Sequence, residues 1–261
     1  MPSAGQGVCS LQLSVPLKTD AIVPVELPVT LAMENGTKYH YDFKFEAFAA
    51  KRVDDKAELK TLDWSALPEI PFKRRIDKPG TSGTFRIGWN PLGIFIEAKI
   101  KDAKFVHNEY PTPTLRWNND CLQIYFDTFA NARQRNLIGY DEDDYDYAIF
   151  PNSQATSAQV FRYLSVESQL GLATQAPPDK TFAPDIPCSF SGRDGVLTYR
   201  VFFPAKYLLP MKLQKGWVFG FGLLAMDSNR SGKVDGALTL ASDGLGCYNR
   251  PHTWPAVLLV E

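Results

Sequence analysis

The chain has 261 residues, of which 44% are hydrophobic and 13% aromatic, enough for one large domain with a substantial core. Its 28 Lys and Arg residues balance 29 Asp and Glu, and no basic run stands out, which argues against a nucleic-acid partner. No apolar stretch approaches the ~20 residues that cross a bilayer, and MPSAGQGVCS lacks the basic start and apolar core of a signal peptide. We therefore expect no membrane association, and either a cytosolic protein or a chain whose leader has been removed.

The N-terminal part predicts a β-hairpin. Strand patterns at residues 9–17 and 21–29 lead to Asn35-Gly36, a pair that favours a two-residue hairpin turn. The segment after the turn alternates aromatic and polar residues with the period of two of a half-buried strand. Its aromatic positions are Tyr39, Tyr41, Phe43 and Phe45. A charged linker is predicted near residues 50–60.

Further strand patterns follow, separated by Gly and Pro, with one helical turn at residues 204–209 and a long loop at residues 166–195. The patterns are TFRIGW, GIFIEAKI, CLQIYFD, YDYAIF, AQVFRYL, VLTYRVFF, WVFGFGLLAM, ALTLA and AVLLV. Strands at this frequency, with almost no helix, predict an all-β fold, an antiparallel β-sandwich with an N-terminal β-strand extension.

The predicted division of the chain falls near residue 55. Residues 1–55 supply too few strands for an independent domain, so they are a hairpin extension or the end of an upstream module. Residues 56–261 form the sandwich. The cysteines are widely spaced and contain no CxxC pair, which argues against zinc; free thiols and any of three disulfide pairings stay open. They are Cys9, Cys121, Cys188 and Cys247.

Acidic residues are the main candidates for chemistry, because no HExxH, GxSxG or phosphate-binding loop is present. The run GYDEDDYDY, residues 139–147, offers paired carboxylates for glycoside hydrolysis or oxygen ligands for a cation. Cation binding is the better interpretation of such a loop. Asp227 begins a segment spaced like the start of an EF-hand loop, but Leu238 stands at the twelfth position, so we predict a hairpin turn there.

The stretch WNNDCLQIYFD, residues 117–127, combines a strand with a misplaced aromatic. One face of the strand is plainly core, with Leu122, Ile124 and Phe126, whereas Gln123 lies on the other face. Trp117 stands ahead of the strand among polar residues. A large aromatic in such a setting is typical of a ligand platform.

Residues 60–261 resemble a family 9 carbohydrate-binding module, a β-sandwich related to DOMON-type domains. The similarity rests on the number, order and spacing of several segments. They are LDWSALPEI, FRIGWNPLGIFIEAKIKDA, WNNDCLQIYFD, GYDEDDYDYAIF, YRVFFPAKYL, KGWVFGFGLLAMDSN and YNRPHTWPAVLLVE.

The resemblance implies a non-catalytic module of a larger secreted or cell-surface bacterial protein that processes glycans. Members of the family hold the end of a sugar chain between two aromatic rings and carry structural calcium. The implied ligand is an oligo- or polysaccharide, such as a plant-type chain end. The implied protein partners are other domains of the parent protein.

The site residues implied by the resemblance follow by position. Trp117 matches the first ring and Tyr248 the second, where the family has tryptophan, and Gln123 replaces a glutamate. The family's Arg and Asn fall near Ala148 and Phe150, a departure that removes two polar contacts. The polar residues Arg162, Asn249 and Arg250 are the candidates to replace them. Calcium ligands are expected at Asp127, Asp143 and Asp144.

Three alternatives stay open. A DOMON-type haem domain would use ligands such as His107, Met226 or His252, although their positions do not suggest a facing pair. A structural module would pack against its neighbours without binding a ligand. An enzyme would use the acidic turn.

Overall fold

The protein is described by a computed structural model over residues 17–33, 35–77, 81–102, 104–132, 139–164, 179–228 and 233–261. These residues form β-strands joined by loops and short 3-10 turns. The strands are β1 Val23–Ala32, β2 Lys38–Arg52, β3 Ile70–Pro71, β4 Arg74–Asp77, β5 Ser82–Asn90, β6 Gly93–Lys101, β7 Cys121–Asp127, β8 Asp144–Pro151, β9 Ala158–Leu164, β10 Thr181–Phe182, β11 Cys188–Arg193, β12 Val196–Pro204, β13 Val218–Ser228, β14 Val234–Thr239 and β15 Ala256–Val260. The 3-10 turns are Trp64–Ala66, Pro113–Asn118, Ala205–Tyr207 and Pro251–Thr253.

The strands form two facing layers. One layer runs β10-β9-β8-β7-β13-β15, and the other runs β5-β6-β12-β11, with β2 joining them through parallel pairing to β15 and β5. Aromatic rings meet between the layers: Phe126 of β7 lies 5.2 Å from Phe203 of β12, and Phe85 of β5 lies 6.3 Å from Phe221 of β13. The fold is the predicted all-β sandwich.

Alternation of buried and partly exposed side chains along a strand explains how each layer contributes to this core. Along β12, every second side chain is buried, from Leu197 through Tyr199 and Val201 to Phe203, while the side chains between them are partly exposed. Each large apolar side chain buried in this way stabilises the fold by ~1.5–3 kcal/mol.

Strand prediction succeeded where alternation is clear and failed where the strand is short and polar. The segments CLQIYFD, AQVFRYL and AVLLV coincide with β7, β9 and β15, and the helical turn near residue 205 is present. The predicted loop at residues 166–195 is wrong in part, because β10 and β11 lie inside it. β11 pairs only with β12 at the edge of the sheet, where a polar sequence is tolerated. Most of the strand predicted at residues 9–17 lies outside the described residues.

The N-terminal hairpin is present, but its turn is longer than predicted. Ala32 pairs with Lys38, so five residues connect the strands instead of two. Asn35 Oδ1 accepts the Thr37 N–H at 3.0 Å, and Gly36 takes a φ of +81° that only glycine adopts at low cost. The second half of β2 continues into the sandwich, where Ala47–Lys51 pair with β15.

Two further sequence expectations concern thiols and membranes. Cys121, Cys188 and Cys247 are free, and Cys9 lies outside the described residues. Burial raises the pKa of the Cys121 thiol well above its usual value, which makes it unreactive. Within the described part of the chain, no helix has the length and apolar character needed to span a bilayer.

Candidate functional site

The outer face of β7, opposite the core, carries the predicted polar contact Gln123. All seven residues of β7 are buried, and Gln123 is only 6% exposed. The Tyr125 hydroxyl donates to Gln123 Oε1 at 2.7 Å, and the Tyr125 ring packs 5.3 Å from Trp254. This face therefore holds a polar group that other side chains have already oriented.

The floor beside Gln123 is apolar. Ala148 of β8 pairs with Gln123 across the strands, and Phe150 packs with Phe161 of β9 and Cys121. These are the two positions where the resemblance implies Arg and Asn, and the structure places small and aromatic side chains there.

Trp117 lies on the 3-10 turn Pro113–Asn118, just ahead of β7, and 39% of its surface is exposed. The Tyr163 hydroxyl donates to the Thr114 carbonyl at 3.1 Å. The Cys121 thiol donates weakly to the Trp117 carbonyl at 3.8 Å. The turn that carries the exposed indole is therefore attached to both β9 and β7.

Tyr248 lies in the connection between β14 and β15 and is 64% exposed. The ring of Tyr140 meets it edge-on with centroids 5.9 Å apart. The Tyr140 hydroxyl donates to Asp146 Oδ2 at 3.0 Å, and its backbone N–H donates to Asn249 Oδ1 at 3.0 Å. Asn249 takes a φ of +54°, an uncommon value that these contacts help to hold.

The two exposed rings border the outer face of the sheet. Tyr163 packs against Phe150 and Phe161, and its hydroxyl bonds to the turn that carries Trp117. Tyr248 meets the ring of Tyr140, whose hydroxyl bonds to Asp146 of β8. Each exposed ring is therefore connected to this face through a tyrosine.

The other polar residues predicted at this site are engaged inside the protein. Asn249 uses its amide oxygen on Tyr140, and Arg250 forms an ion pair with Asp243. Arg162 is buried, pairs with Asp179 at 3.1 Å, and acts electrostatically on core tyrosines, so it does not replace the lost polar contacts.

Asp146 belongs to the acidic run considered for catalysis or cation binding and was not predicted to support the sugar site, although the alternation of β8 places it on the same face as Ala148. It is 1% exposed, and its Oδ1 has no hydrogen-bond partner. Burial raises its pKa to about 8. Its role as the acceptor for Tyr140 depends on the pairing of strands, which the sequence alone does not give.

The predicted calcium residues gather at the far end of β7 in a turn cluster, defined as Asp127, Asp141, Asp143 and Asp144. Asp127 accepts the N–H groups of Asn131 and Ala132, each at 3.2 Å. The other members accept five donors. Asp143 accepts from Thr128 Oγ1, the Phe129 N–H and Asn131 Nδ2 at 3.1, 2.8 and 2.8 Å, Asp144 from the Asp141 N–H at 2.7 Å, and Asp141 from the Asp143 N–H at 3.4 Å.

Burial raises the pKa of these carboxyls, that of Asp144 to about 9, with further contributions from neighbouring carboxylates. Asp144 Oδ1 and Asn131 Oδ1 are buried without a hydrogen-bond partner. Most carboxylate oxygens of the turn cluster therefore accept hydrogen bonds, whereas Asp144 Oδ1 and the neighbouring Asn131 Oδ1 do not.

A second group lies at the start of β7 and is called the converging cluster: Asp102, Asp120 and Asp227. These buried residues offer carboxylate oxygens that all lie within 4.8 Å of one another, the one such group among the described residues. Asp120 accepts the N–H of Val106 at 2.5 Å and that of Ser228 at 2.7 Å. Burial raises the pKa of Asp120 to about 8. The sequence analysis assigned none of these residues to a metal.

Comparison with known families identifies the domain. A family model described as carbohydrate family 9 binding domain-like matches residues 56–261. The chain belongs to this family. Two solved structures of a family 9 module from Caldicellulosiruptor kristjanssonii, in complex with glucose and with cellotriose, are similar to it with TM-scores of 0.62 and 0.61.

The similarity to these family 9 structures is one of fold, because each is 12% identical in sequence to this chain. The glucose complex covers 82% of this chain and 95% of its own, and the cellotriose complex 81% and 92%. A comparison with curated proteins finds no match.

Calcium is expected of a family 9 domain, and the donor set can be tested for its fit. Calcium binds oxygen at ~2.3–2.6 Å, so two ligand oxygens on one ion are separated by at most about 5 Å. The carboxylates of the converging cluster meet this limit. The hydroxyl of Ser228, adjacent to Asp227, is buried without a hydrogen-bond partner. This donor set fits calcium.

A separate open depression of about 500 Å³ lies beside the end of β2 in this family 9 domain. Its lining comes from residues 51–67 and includes Lys51, Lys56 and Asp63. None of the predicted sugar-binding residues lines it. It is therefore distinct from the ring site.

Proposed function

We propose that this domain binds an oligo- or polysaccharide against the exposed rings of Trp117 and Tyr248. The observation that carries the proposal is the presence of two rings, 39% and 64% exposed, each connected to the outer face of the sheet through a tyrosine. Solved relatives of the same fold hold glucose and cellotriose.

The chemistry of a sugar suits such rings. A pyranose has apolar C–H faces, which stack on the electron-rich face of an aromatic ring, and a rim of hydroxyls. Gln123 would meet one hydroxyl with its amide N–H, because its oxygen already accepts from Tyr125. With Ala148 and Phe150 on the floor, we expect weak binding that depends mainly on stacking.

We further propose that the domain is not an enzyme. The carboxyls of the acidic turn accept hydrogen bonds from backbone and side-chain donors, which suits a structural role. The family resemblance suggests a setting in a larger secreted or cell-surface bacterial protein that processes glycans. A plant-type chain end would be the ligand, and the other domains of that protein would be the partners.

We propose structural calcium at two places. The converging cluster is the stronger site, because three carboxylates already lie at ligand separation. The turn cluster, with Asp127, Asp143 and Asp144, is the weaker site, because no three of its carboxylates, all within the described part of the chain, bring oxygens within 4.8 Å of one another. Neither site takes part directly in holding the sugar.

The proposed function is tested by titrating the protein with cellotriose in a calorimeter and by screening a broad glycan array. Trp117→Ala should weaken binding at least ~10-fold, which corresponds to ~1.4 kcal/mol. Tyr41→Ala is the matched control, since Tyr41 is a 46%-exposed aromatic on the hairpin, outside the site. Unchanged binding in Trp117→Ala, or no glycan bound by the natural protein, would instead support a structural module without a ligand.

A further inference from the structure

We infer that Tyr163 and Tyr140 are positioning residues, which hold the two exposed aromatic rings in place through buried hydroxyl groups. This inference rests on the proposed function, because it concerns the same site. Neither tyrosine is itself one of the stacking rings. Each connects a weakly structured segment to a strand of the sandwich.

The segment that carries Trp117 needs such support. It is a 3-10 turn of six residues, Pro113–Asn118, whose N-cap Thr112 makes no capping hydrogen bond with its side chain. Short 3-10 turns have poor hydrogen-bond geometry and little stability of their own. The Tyr163 hydroxyl donates to the Thr114 carbonyl, so one atom on β9 holds the turn three residues ahead of Trp117.

Tyr163 is itself firmly held. Its ring packs edge-on against Phe161 at 4.9 Å and against Phe150 at 6.3 Å. The same apolar floor that replaces the family's polar contacts therefore supports the residue that positions Trp117. Packing already holds the Tyr163 ring in place, and we expect its hydroxyl to fix the position of the turn that carries Trp117.

The segment that carries Tyr248 is supported in a parallel way. It belongs to no strand, and the next residue, Asn249, has a strained φ of +54°. Tyr140 touches this segment twice, with its ring edge against Tyr248 and its N–H on Asn249 Oδ1. Its hydroxyl is bonded to Asp146, a 1%-exposed residue of β8.

The physical advantage is preorganisation. A loosely held ring must lose its freedom when a sugar stacks on it, and that loss subtracts from the affinity. Because few polar contacts are available to the sugar, much of the binding free energy depends on the orientation of the rings. Removing one hydroxyl should therefore weaken sugar binding without removing any atom that touches the sugar.

The first experiment measures cellotriose affinity in Tyr163→Phe and Tyr140→Phe, each of which deletes a single hydroxyl. We expect a loss of roughly 3- to 10-fold, the size associated with one hydrogen bond. The control is Tyr145→Phe, whose hydroxyl donates to the Leu209 carbonyl at 2.6 Å on the core side. It should lower stability but leave affinity unchanged; equal affinity in all three variants would overturn the inference.

The second experiment needs no sugar. Amide hydrogen exchange, measured by NMR, should accelerate at Trp117 in Tyr163→Phe by about 10-fold, because the turn that carries this residue loses its hydrogen bond to β9. The Tyr145→Phe control should leave Trp117 exchange unchanged. Unaltered exchange at Trp117 in Tyr163→Phe would overturn the inference even if the natural protein binds cellotriose.

Two substitutions at Asp146, the residue that accepts the Tyr140 hydroxyl, test the role of that hydrogen bond. Asp146→Asn keeps an acceptor for the Tyr140 hydroxyl, whereas Asp146→Leu removes it. We expect the leucine variant to match Tyr140→Phe in affinity and the asparagine variant to lose less; equal losses would contradict the role of the hydroxyl. If the natural protein bound no glycan but Trp117 exchange responded as expected, the proposed function would fail while the positioning of the turn held.

Discussion

The turn cluster and the converging cluster lie at opposite ends of β7, and they are built differently. The turn cluster comes from neighbouring residues, and its carboxyls mainly accept N–H and O–H groups of the same turn. The converging cluster comes from residues 102, 120 and 227, which only the fold brings within 4.8 Å of one another. A run of acids in a sequence therefore does not by itself identify where carboxylates converge.

The difference has an electrostatic consequence. In the turn cluster, hydrogen-bond donors offset part of the repulsion between carboxyls. Donors reach the converging cluster as well, because Asp120 accepts two backbone N–H groups and Asp227 accepts the Thr81 hydroxyl at 2.7 Å. Its three buried carboxylates also bring oxygens within 4.8 Å of one another, where like charges repel. A cation would offset that repulsion, so we expect the converging cluster to respond more strongly to both mutation and metal.

The largest expected effect is that of Asp120→Ala. The substitution removes the acceptor for the buried N–H groups of Val106 and Ser228, and each unsatisfied group costs ~1–3 kcal/mol. We expect a loss of about 3–5 kcal/mol in the free energy of unfolding, measured by denaturant titration. Asp42→Ala, on the exposed face of the hairpin, should change it by less than ~0.5 kcal/mol. Comparable losses in the two variants would remove the distinction between buried and exposed carboxylates.

Calcium should produce the next largest effect. At a concentration 100 times its Kd, a ligand of the folded state stabilises it by ~2.7 kcal/mol. We expect calcium to raise the Tm relative to protein in EDTA, and Asp102→Asn or Asp227→Asn to abolish most of the rise. Asp144→Asn should keep most of it. If Asp144→Asn abolished the rise and Asp102→Asn and Asp227→Asn kept it, the turn cluster would be the principal calcium site.

The pH dependence should follow from the buried carboxyls when calcium is absent. Burial raises the pKa of Asp120 to about 8 and that of Asp144 to about 9, whereas in the unfolded chain both lie near 3.9. Between these values the folded state binds more protons, so its stability falls as the pH rises. In EDTA the Tm should decrease between pH 5 and pH 9.

Calcium should reduce that decrease, because it favours the deprotonated carboxylates. The measurement is a set of thermal melts across the pH range, with EDTA and with calcium. Parallel curves in the two conditions would show that the carboxyls that titrate are not the ones that bind metal.

The fold could be predicted where local pattern decides structure. Alternating apolar residues located β7, β9 and β15 because one face of each must be buried. The turn at Asn35-Gly36 was placed correctly but given the wrong length, because strand pairing ends at Ala32 and Lys38. The short strands β10 and β11 were missed because their polar edge sequences carry no such pattern.

The site could be predicted only in part. Trp117, Tyr248 and Gln123 follow from resemblance, and the sugar-binding role assigned to them stays a prediction. The residues that support them do not follow, because Tyr163 contacts Thr114 and Tyr140 contacts Asn249 across distances set by strand pairing. The converging cluster was missed for the same reason: its members are up to 125 residues apart in the chain.

The smallest expected effect is that of Asp144→Asn in EDTA, and its sign is the informative part. Asparagine can still accept the Asp141 N–H, while the charge that burial and Asp127 disfavour is removed. At pH 8 we expect the free energy of unfolding to rise by on the order of 1 kcal/mol, since no buried carboxyl must be kept neutral. The same variant should keep most of the stabilisation that calcium provides, because the converging cluster is intact. Destabilisation in EDTA would mean that the Asp144 charge is stabilised within the turn, and the contrast between the two clusters would then disappear.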